Sequence, residues 1–140
     1  MFMGGSKGIF ELSLRVYYED TDSGGVVYYA NYLRYFERAR TEWLRTLGYE
    51  QSQLLARTGI AFAARSAQVE YLKPARLDDE IVVVSRISSV GRAQVVFDQR
   101  VEREGELLVE AIMRIASFDP VRGKAVAMPR EIYEKFKALL

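Results

Sequence analysis

Along residues 10–18 apolar and polar positions alternate. Phe10, Leu12, Leu14, Val16 and Tyr18 fall on one side; Glu11, Ser13, Arg15 and Tyr17 on the other. That period of two predicts a strand with one buried face. A polar stretch with two glycines, residues 19–25, interrupts it. Next comes a helical period, expected to begin between Val27 and Tyr32 and to run to Leu47. Leu33, Phe36, Arg40, Trp43, Leu44 and Leu47 form its inward stripe, and Gly48 follows as a natural C-terminal stop. A short second helix is expected over residues 50–57. From residue 60 the period returns to two: strands are expected over 60–72, 80–88, 92–104 and 107–118, joined by turns at Gly91 and Gly105. Pro129 opens a last amphipathic helix over 131–140. Short links between long strands imply antiparallel pairing, and one long helix with one sheet to bury it implies a two-layer α+β domain.

The chain has 140 residues, enough for one domain, and no linker or repeat divides it. Residues 1–9 are expected to form a flexible N-terminus outside that domain. Residues 1–8 are too short and too polar for a secretory signal, and no apolar run is long enough to span a membrane, so a cytoplasmic protein without membrane insertion is expected. With 20 Lys plus Arg against 19 Asp plus Glu, net charge +1, the chain lacks the basic excess of a nucleic-acid-binding domain.

Two absences narrow the chemistry. There is no Cys and no His. Disulfides, thiolate metal sites, Cys nucleophiles, imidazole ligands and every His-dependent triad are thereby excluded. Catalysis, if there is any, falls to Asp, Glu, Tyr, Lys or a hydroxyl. No Asp/Asn-rich loop resembles a calcium site, so no metal and no cofactor are expected.

The informative stretch lies between the first strand and the long helix. Asp20 and Asp22 precede Gly24-Gly25 and a helix start. A helix N-terminus offers unpaired N–H groups that can polarise a carbonyl, and a carboxylate beside it is available as nucleophile or base. The same carboxylates also read as loop residues or helix caps, and the residues alone leave both readings open. Glu70, inside an otherwise apolar strand, reads either as a pocket residue or as a satisfied interface carboxylate.

Residues 18–28 (YEDTDSGGVVY), 36–42 (FERARTE) and 69–79 (VEYLKPARLDD) resemble the 4-hydroxybenzoyl-CoA thioesterase family of hotdog proteins. The nearer likeness is to the acyl-CoA thioesterase branch associated with the Tol-Pal system, the YbgC type. It extends from about Leu12 to the Pro129 region. The resemblance implies a hotdog fold, a long central helix wrapped by a five-stranded antiparallel sheet. It implies hydrolysis of an acyl-CoA to CoA and a carboxylic acid. Asp22 takes the position of the catalytic carboxylate, as nucleophile or general base. Tyr29, seven residues on, takes the position whose backbone N–H meets the thioester carbonyl. That position is usually His in the YbgC branch and Tyr in the hydroxybenzoyl branch, so the side chain here departs from the nearer branch while the backbone role is kept. Gly25, Val26 and Tyr28 fall in the substrate-binding stretch. Arg92 matches a basic position that meets CoA phosphates, often across a subunit boundary; Lys73, Arg76, Arg122 and Lys124 are further candidates. The resemblance also implies a homo-oligomer, a dimer and a dimer of dimers joined through sheet edges. Two other readings remain: a non-catalytic acyl-CoA-binding module, and a cell-envelope-associated interaction protein.

Overall fold

The computed structural model describes residues 8–140 in full, together with the backbone of Phe2–Gly4. The strands are β1 (Phe2–Gly4), β2 (Ile9–Arg15), β3 (Ala61–Tyr71), β4 (Glu80–Val90), β5 (Gln94–Arg103), β6 (Glu106–Asp119) and β7 (Lys124–Ala125). The helices are α1 (Asn31–Thr46), α2 (Gln51–Thr58) and α3 (Arg130–Lys137). All strand pairs are antiparallel, in the order β1-β2-β4-β5-β6-β3, with β7 beside the end of β6. The five long strands are those the period predicts. Two short ones bring the sheet to seven. β1 falls within the expected flexible N-terminus, yet it pairs with β2 from Phe2↔Leu12 to Gly4↔Phe10. Residues 1 and 5–7 of that stretch lie outside the described residues.

The inner face of the sheet carries Phe10, Leu12, Ile81, Val83, Val95, Phe97, Val101, Met113 and Ile115, all buried. Across it lies α1. Its buried side is Tyr32, Tyr35, Phe36, Ala39, Trp43 and Leu44, rotated from the expected stripe: Leu33 is 39% exposed. Tyr32 accounts for the rotation. A ring buries large apolar area if its hydroxyl finds a partner, and the Ala75 N–H donates to the Tyr32 hydroxyl at 3.0 Å. Gly48, at φ 99°, stops the helix, and Lys135 of α3 donates to the Leu47 carbonyl at 2.9 Å. The first strand also ends early. Tyr18, expected on its buried face, is exposed because residues Tyr18–Asp20 curl into a 3₁₀ turn. Pro129 is the N-cap of α3, one residue ahead of its expected place as the first helical residue.

A polar thread crosses this core. Gln99 is fully buried; it donates to the Phe36 carbonyl at 3.0 Å and to Ser85 Oγ at 2.9 Å, and its Oε1 accepts from Arg40 at 2.9 Å. At one end of the sheet, residues 73–79 form a shelf. Arg103 clamps it, donating to Asp79 at 2.7 Å and to Glu106 at 3.0 Å, while Lys73 pairs with Glu106 from the other side. No helix among the described residues is long and apolar enough to cross a membrane.

Burial opposes ionisation of Asp79, but the Arg76 N–H and the Arg103 guanidinium outweigh it and hold its carboxyl below the usual range. Lys73, then Arg103, hold Glu106 low as well. A carboxyl depressed in the folded chain stabilises the fold above its unfolded pKa, about 4, and that stability is lost as pH falls through the folded value. Arg103→Met therefore flattens the loss of urea midpoint between roughly pH 5 and pH 2 relative to the parent. Parallel midpoint-versus-pH curves for the two proteins would contradict the clamp.

Candidate active site

The loop between β2 and α1 is held at three points by one residue. Asp20, 7% exposed, accepts from the Tyr17 N–H at 2.9 Å and from Asn31 Nδ2 at 3.0 Å. Its carbonyl accepts the Tyr28 N–H at 2.9 Å. Both carboxylate oxygens are thus committed to structure. The buried Tyr35 hydroxyl lies in the same place and is pushed up by burial first and by the Asp20 carboxylate next.

Asp22 is arranged differently. It is exposed, and its backbone forms a narrow hairpin: Asp22 N–H to Val26 O at 2.9 Å, Gly25 N–H to Asp22 O at 3.1 Å. Gly25 sits at φ 77°, a conformation costly for a residue with a Cβ. Asp22 Oδ1 accepts the Gly24 N–H at 2.9 Å, a local turn that fixes the side chain. Oδ2 accepts from none of the described residues. The hairpin rests on the shelf through a Val26↔Arg76 bridge, Val27 N–H to Ala75 O at 2.9 Å and Leu77 N–H to Gly25 O at 3.1 Å.

The first N–H groups of α1 are used in tight local bonds: Asn31 to Tyr28 O at 2.8 Å, Tyr32 to Tyr29 O at 3.4 Å and Leu33 to Ala30 O at 3.2 Å. The N–H of Tyr29, two residues before the helix, donates to none of the described residues. The rings around it form a cluster that the sequence did not disclose. Tyr29 lies 4.8 Å from Tyr28 and 6.1 Å from Tyr71, and Tyr32 lies 5.7 Å from Tyr71, centroid to centroid. With Val27, Leu72 and Pro74, the rings of Tyr29, Tyr32 and Tyr71 line an apolar depression that Lys73 also borders. Burial first, then the Tyr29 hydroxyl, raise Tyr71; the Tyr29 hydroxyl also raises Tyr28.

Gly25, Val26, Tyr28, Asp22 and Tyr29 are therefore on one hairpin. Two other candidates are not with them. Glu70 precedes Tyr71 on β3, and successive side chains leave a strand on opposite faces. Tyr71 points to the tyrosine cluster, whereas Glu70 lies on the outer face, opposite Glu110 and near Gln68, Asp98 and Arg100. Arg92 is in the β4–β5 turn, next to Met128, Arg130 and Tyr133. The ten residue steps of β4 from Glu80 to Val90 put that turn about 33 Å from the shelf that supports Asp22, at about 3.3 Å per residue. Within one subunit Arg92 and Asp22 do not meet. The cations beside the hairpin are Arg76 and Lys73. Arg122 and Lys124 lie by β7, where Arg122 pairs with Asp119 at 3.4 Å.

The chain matches known proteins over most of its length. The profile of the Thioesterase superfamily matches residues 24–110. The chain is 44% identical to the acyl-CoA thioesterase YbgC of Haemophilus influenzae over 130 residues, 93% of this chain and 96% of that one. It is 45% identical to the acyl-CoA thioester hydrolase YbgC of Escherichia coli, over 92% of this chain and 96% of that one. Among solved structures, a probable thioesterase from Bartonella henselae superposes with TM-score 0.82 at 32% identity, covering 86% of this chain and 99% of that one. A 1,4-dihydroxy-2-naphthoyl-CoA thioesterase from Synechocystis superposes with TM-score 0.85 at 21% identity, covering 93% and 96%, a likeness of fold alone. The long helix held in an antiparallel sheet, the hairpin before it and these matches together place the chain in the Thioesterase superfamily, with the hotdog fold.

Proposed function

We propose that this protein is an acyl-CoA thioesterase that hydrolyses its substrate to CoA and a carboxylic acid at Asp22. One observation carries the reading. On a single hairpin, tied down by Asp20, a carboxylate oxygen of Asp22 and the backbone N–H of Tyr29 are both unclaimed by the described residues. Those are the two things thioester hydrolysis needs, a base or nucleophile and a donor for the developing oxyanion. The thioester carbonyl lies against the Tyr29 N–H. The acyl group enters the depression lined by Tyr29, Tyr32 and Tyr71, and Tyr28 flanks the entrance. The names of the two YbgC relatives support the CoA ester as substrate.

Asp22 acts either by attacking the carbonyl carbon, expelling CoA thiolate and leaving an anhydride that water opens, or by taking a proton from the water that attacks. No imidazole is available for either route. Arg76 and Lys73 meet the CoA phosphates from the same subunit, and Arg92 joins them only from a neighbouring one. The working form is a homo-oligomer, at least a dimer. β3 ends the sheet as an eleven-residue strand with most of its side chains exposed, and an unpaired edge of that length invites a second copy.

Asp22→Asn keeps size and polarity but can neither attack nor accept a proton, and lowers kcat by about 10²–10⁴. Asp20→Asn sets one amide donor against an existing donor, so it costs about 1–3 kcal/mol in stability and leaves folded enzyme that turns over. Steady-state kinetics and urea midpoints of both variants check this; turnover near the parent's in folded Asp22→Asn would overturn the mechanism. Arg76→Ala raises KM for acyl-CoA several-fold with kcat little changed, and added salt does the same to the parent by screening phosphate contacts. An unchanged KM removes Arg76 from the site. Light scattering at micromolar concentration gives a mass of at least two chains; a 16.0 kDa species would contradict the assembly.

A further inference from the structure

Residues 73–79 support the hairpin, and one guanidinium closes that segment at both ends. Arg103, the last residue of β5, donates from Nη1 to Asp79 Oδ2 at 2.7 Å and to the Pro74 carbonyl at 3.3 Å. Its Nη2 donates to Glu106 Oε1 at 3.0 Å, and the other oxygen of Glu106 accepts from Lys73. The ion chain Lys73–Glu106–Arg103–Asp79 thus brackets the segment at its first and last residues. Backbone bonds alone tie the start to Leu108 of β6 and the end to Val16, just past β2. Arg103 joins the two ends to each other. The side chains of Arg103 and Asp79 are only 25% and 23% exposed, so water screens this pair less than a surface pair.

The turn it holds is a strained one. Asp78 sits at φ 69°, in the left-handed region, without being glycine. Such a conformation persists where the surroundings over-determine it. Asp79 Oδ2 is the atom where they do so. It accepts the Arg76 N–H at 2.8 Å across the turn and the Arg103 guanidinium from outside. From that oxygen the path to the reacting groups is short. The Ala75 carbonyl and the Leu77 N–H hold Val27 and Gly25, Arg76 bridges Val26, and the Val26 carbonyl takes the Asp22 N–H. Lys73 and Pro74 line the depression beside Tyr29, whereas Arg103 does not. Its influence on a bound substrate therefore passes through the segment.

We propose that Arg103 is a positioning residue for the hydrolysis: its guanidinium sets the shape of residues 73–79, and that shape sets where the hairpin holds the Asp22 carboxylate relative to the Tyr29 N–H. The proposal rests on the reading of Asp22 given above. A misplacement of about 1 Å between reacting groups costs about a hundredfold in rate. Arginine suits the task because its rigid fork bridges two carboxylates and a carbonyl, where a lysine offers one point charge.

The test measures kcat and amide hydrogen exchange on the full-length protein, well below the melting temperature of each variant. Arg103→Met lowers kcat by about ten- to a hundredfold. The amides of Val27 and Leu77 exchange at least about tenfold faster, over and above any change at Phe97 in the middle of β5, which reports on the whole fold. Arg103→Lys recovers part of both losses. Should Arg103→Met fail to fold, Asp79→Asn decides on the same two readings, because it keeps an acceptor for the Arg76 N–H and loses the charge. The parent's kcat in the folded variant, equal acceleration at all three amides, or a lysine no better than methionine would each overturn the proposal. Asp22→Asn is measured beside them. Near-parent turnover there defeats the reading of Asp22 and this proposal with it. Lost turnover there, with Arg103→Met at the parent's kcat, defeats this proposal alone.

Discussion

Asp20 ties three pieces of chain together through its buried carboxylate and its backbone carbonyl. Its oxygens hold the end of β2 through Tyr17 and the first residue of α1 through Asn31, and its carbonyl takes the returning strand of the loop at Tyr28. What lies between, Asp22 to Val27, has no freedom left except to project as a hairpin. A buried carboxylate is tolerated only when its acceptors are filled, and here they are. The adjacent carboxylate is the reverse case, exposed and half unclaimed. Two residues apart, the same side chain serves as anchor and as reagent, and the difference is burial and partners alone.

Behind the hairpin the shelf of residues 73–79 does the supporting. Ala75 bonds both Val27 and the Tyr32 hydroxyl, so one short segment fixes the loop and the helix to each other. The Arg103 clamp then fixes the shelf to the β5–β6 turn. The site is thus built on the sheet rather than on loop against loop. α1 runs from this end along the sheet and is tied to β5 in its middle by the Arg40–Gln99 hydrogen bond. The helix begins two residues after Tyr29 and carries the half-buried Arg40 guanidinium in its middle.

Much of this was legible in the chain. The period of two located every long strand, and the helical period located α1 within a few residues of its start, because both report local geometry. The phase of α1 was not legible. Leu33 looked inward by hydropathy, whereas Tyr32 turned in because its hydroxyl meets Ala75, 43 residues away. The tyrosine cluster escaped for the same reason, since Tyr71 comes to Tyr29 only through the order of strands. That Asp22, Tyr28 and Tyr29 lie near one another was legible because they share one short segment. The places of Glu70 and Arg92 relative to Asp22 within one subunit were not legible, because they depend on strand face and strand length. Gln99 gave no signal at all; an amide in an alternating strand looks like a surface residue until its partners from α1 and β4 are seen.

The account depends on a thioester carbonyl lying between the Tyr29 N–H and the Asp22 side chain. A crystal structure of Asp22→Asn with a bound acyl-CoA tests that directly. It is expected to show the carbonyl oxygen about 2.7–3.1 Å from the Tyr29 nitrogen, the carbonyl carbon facing residue 22 and the acyl group against Tyr32 and Tyr71. A thioester bound elsewhere, with the Tyr29 N–H still unengaged, would contradict it.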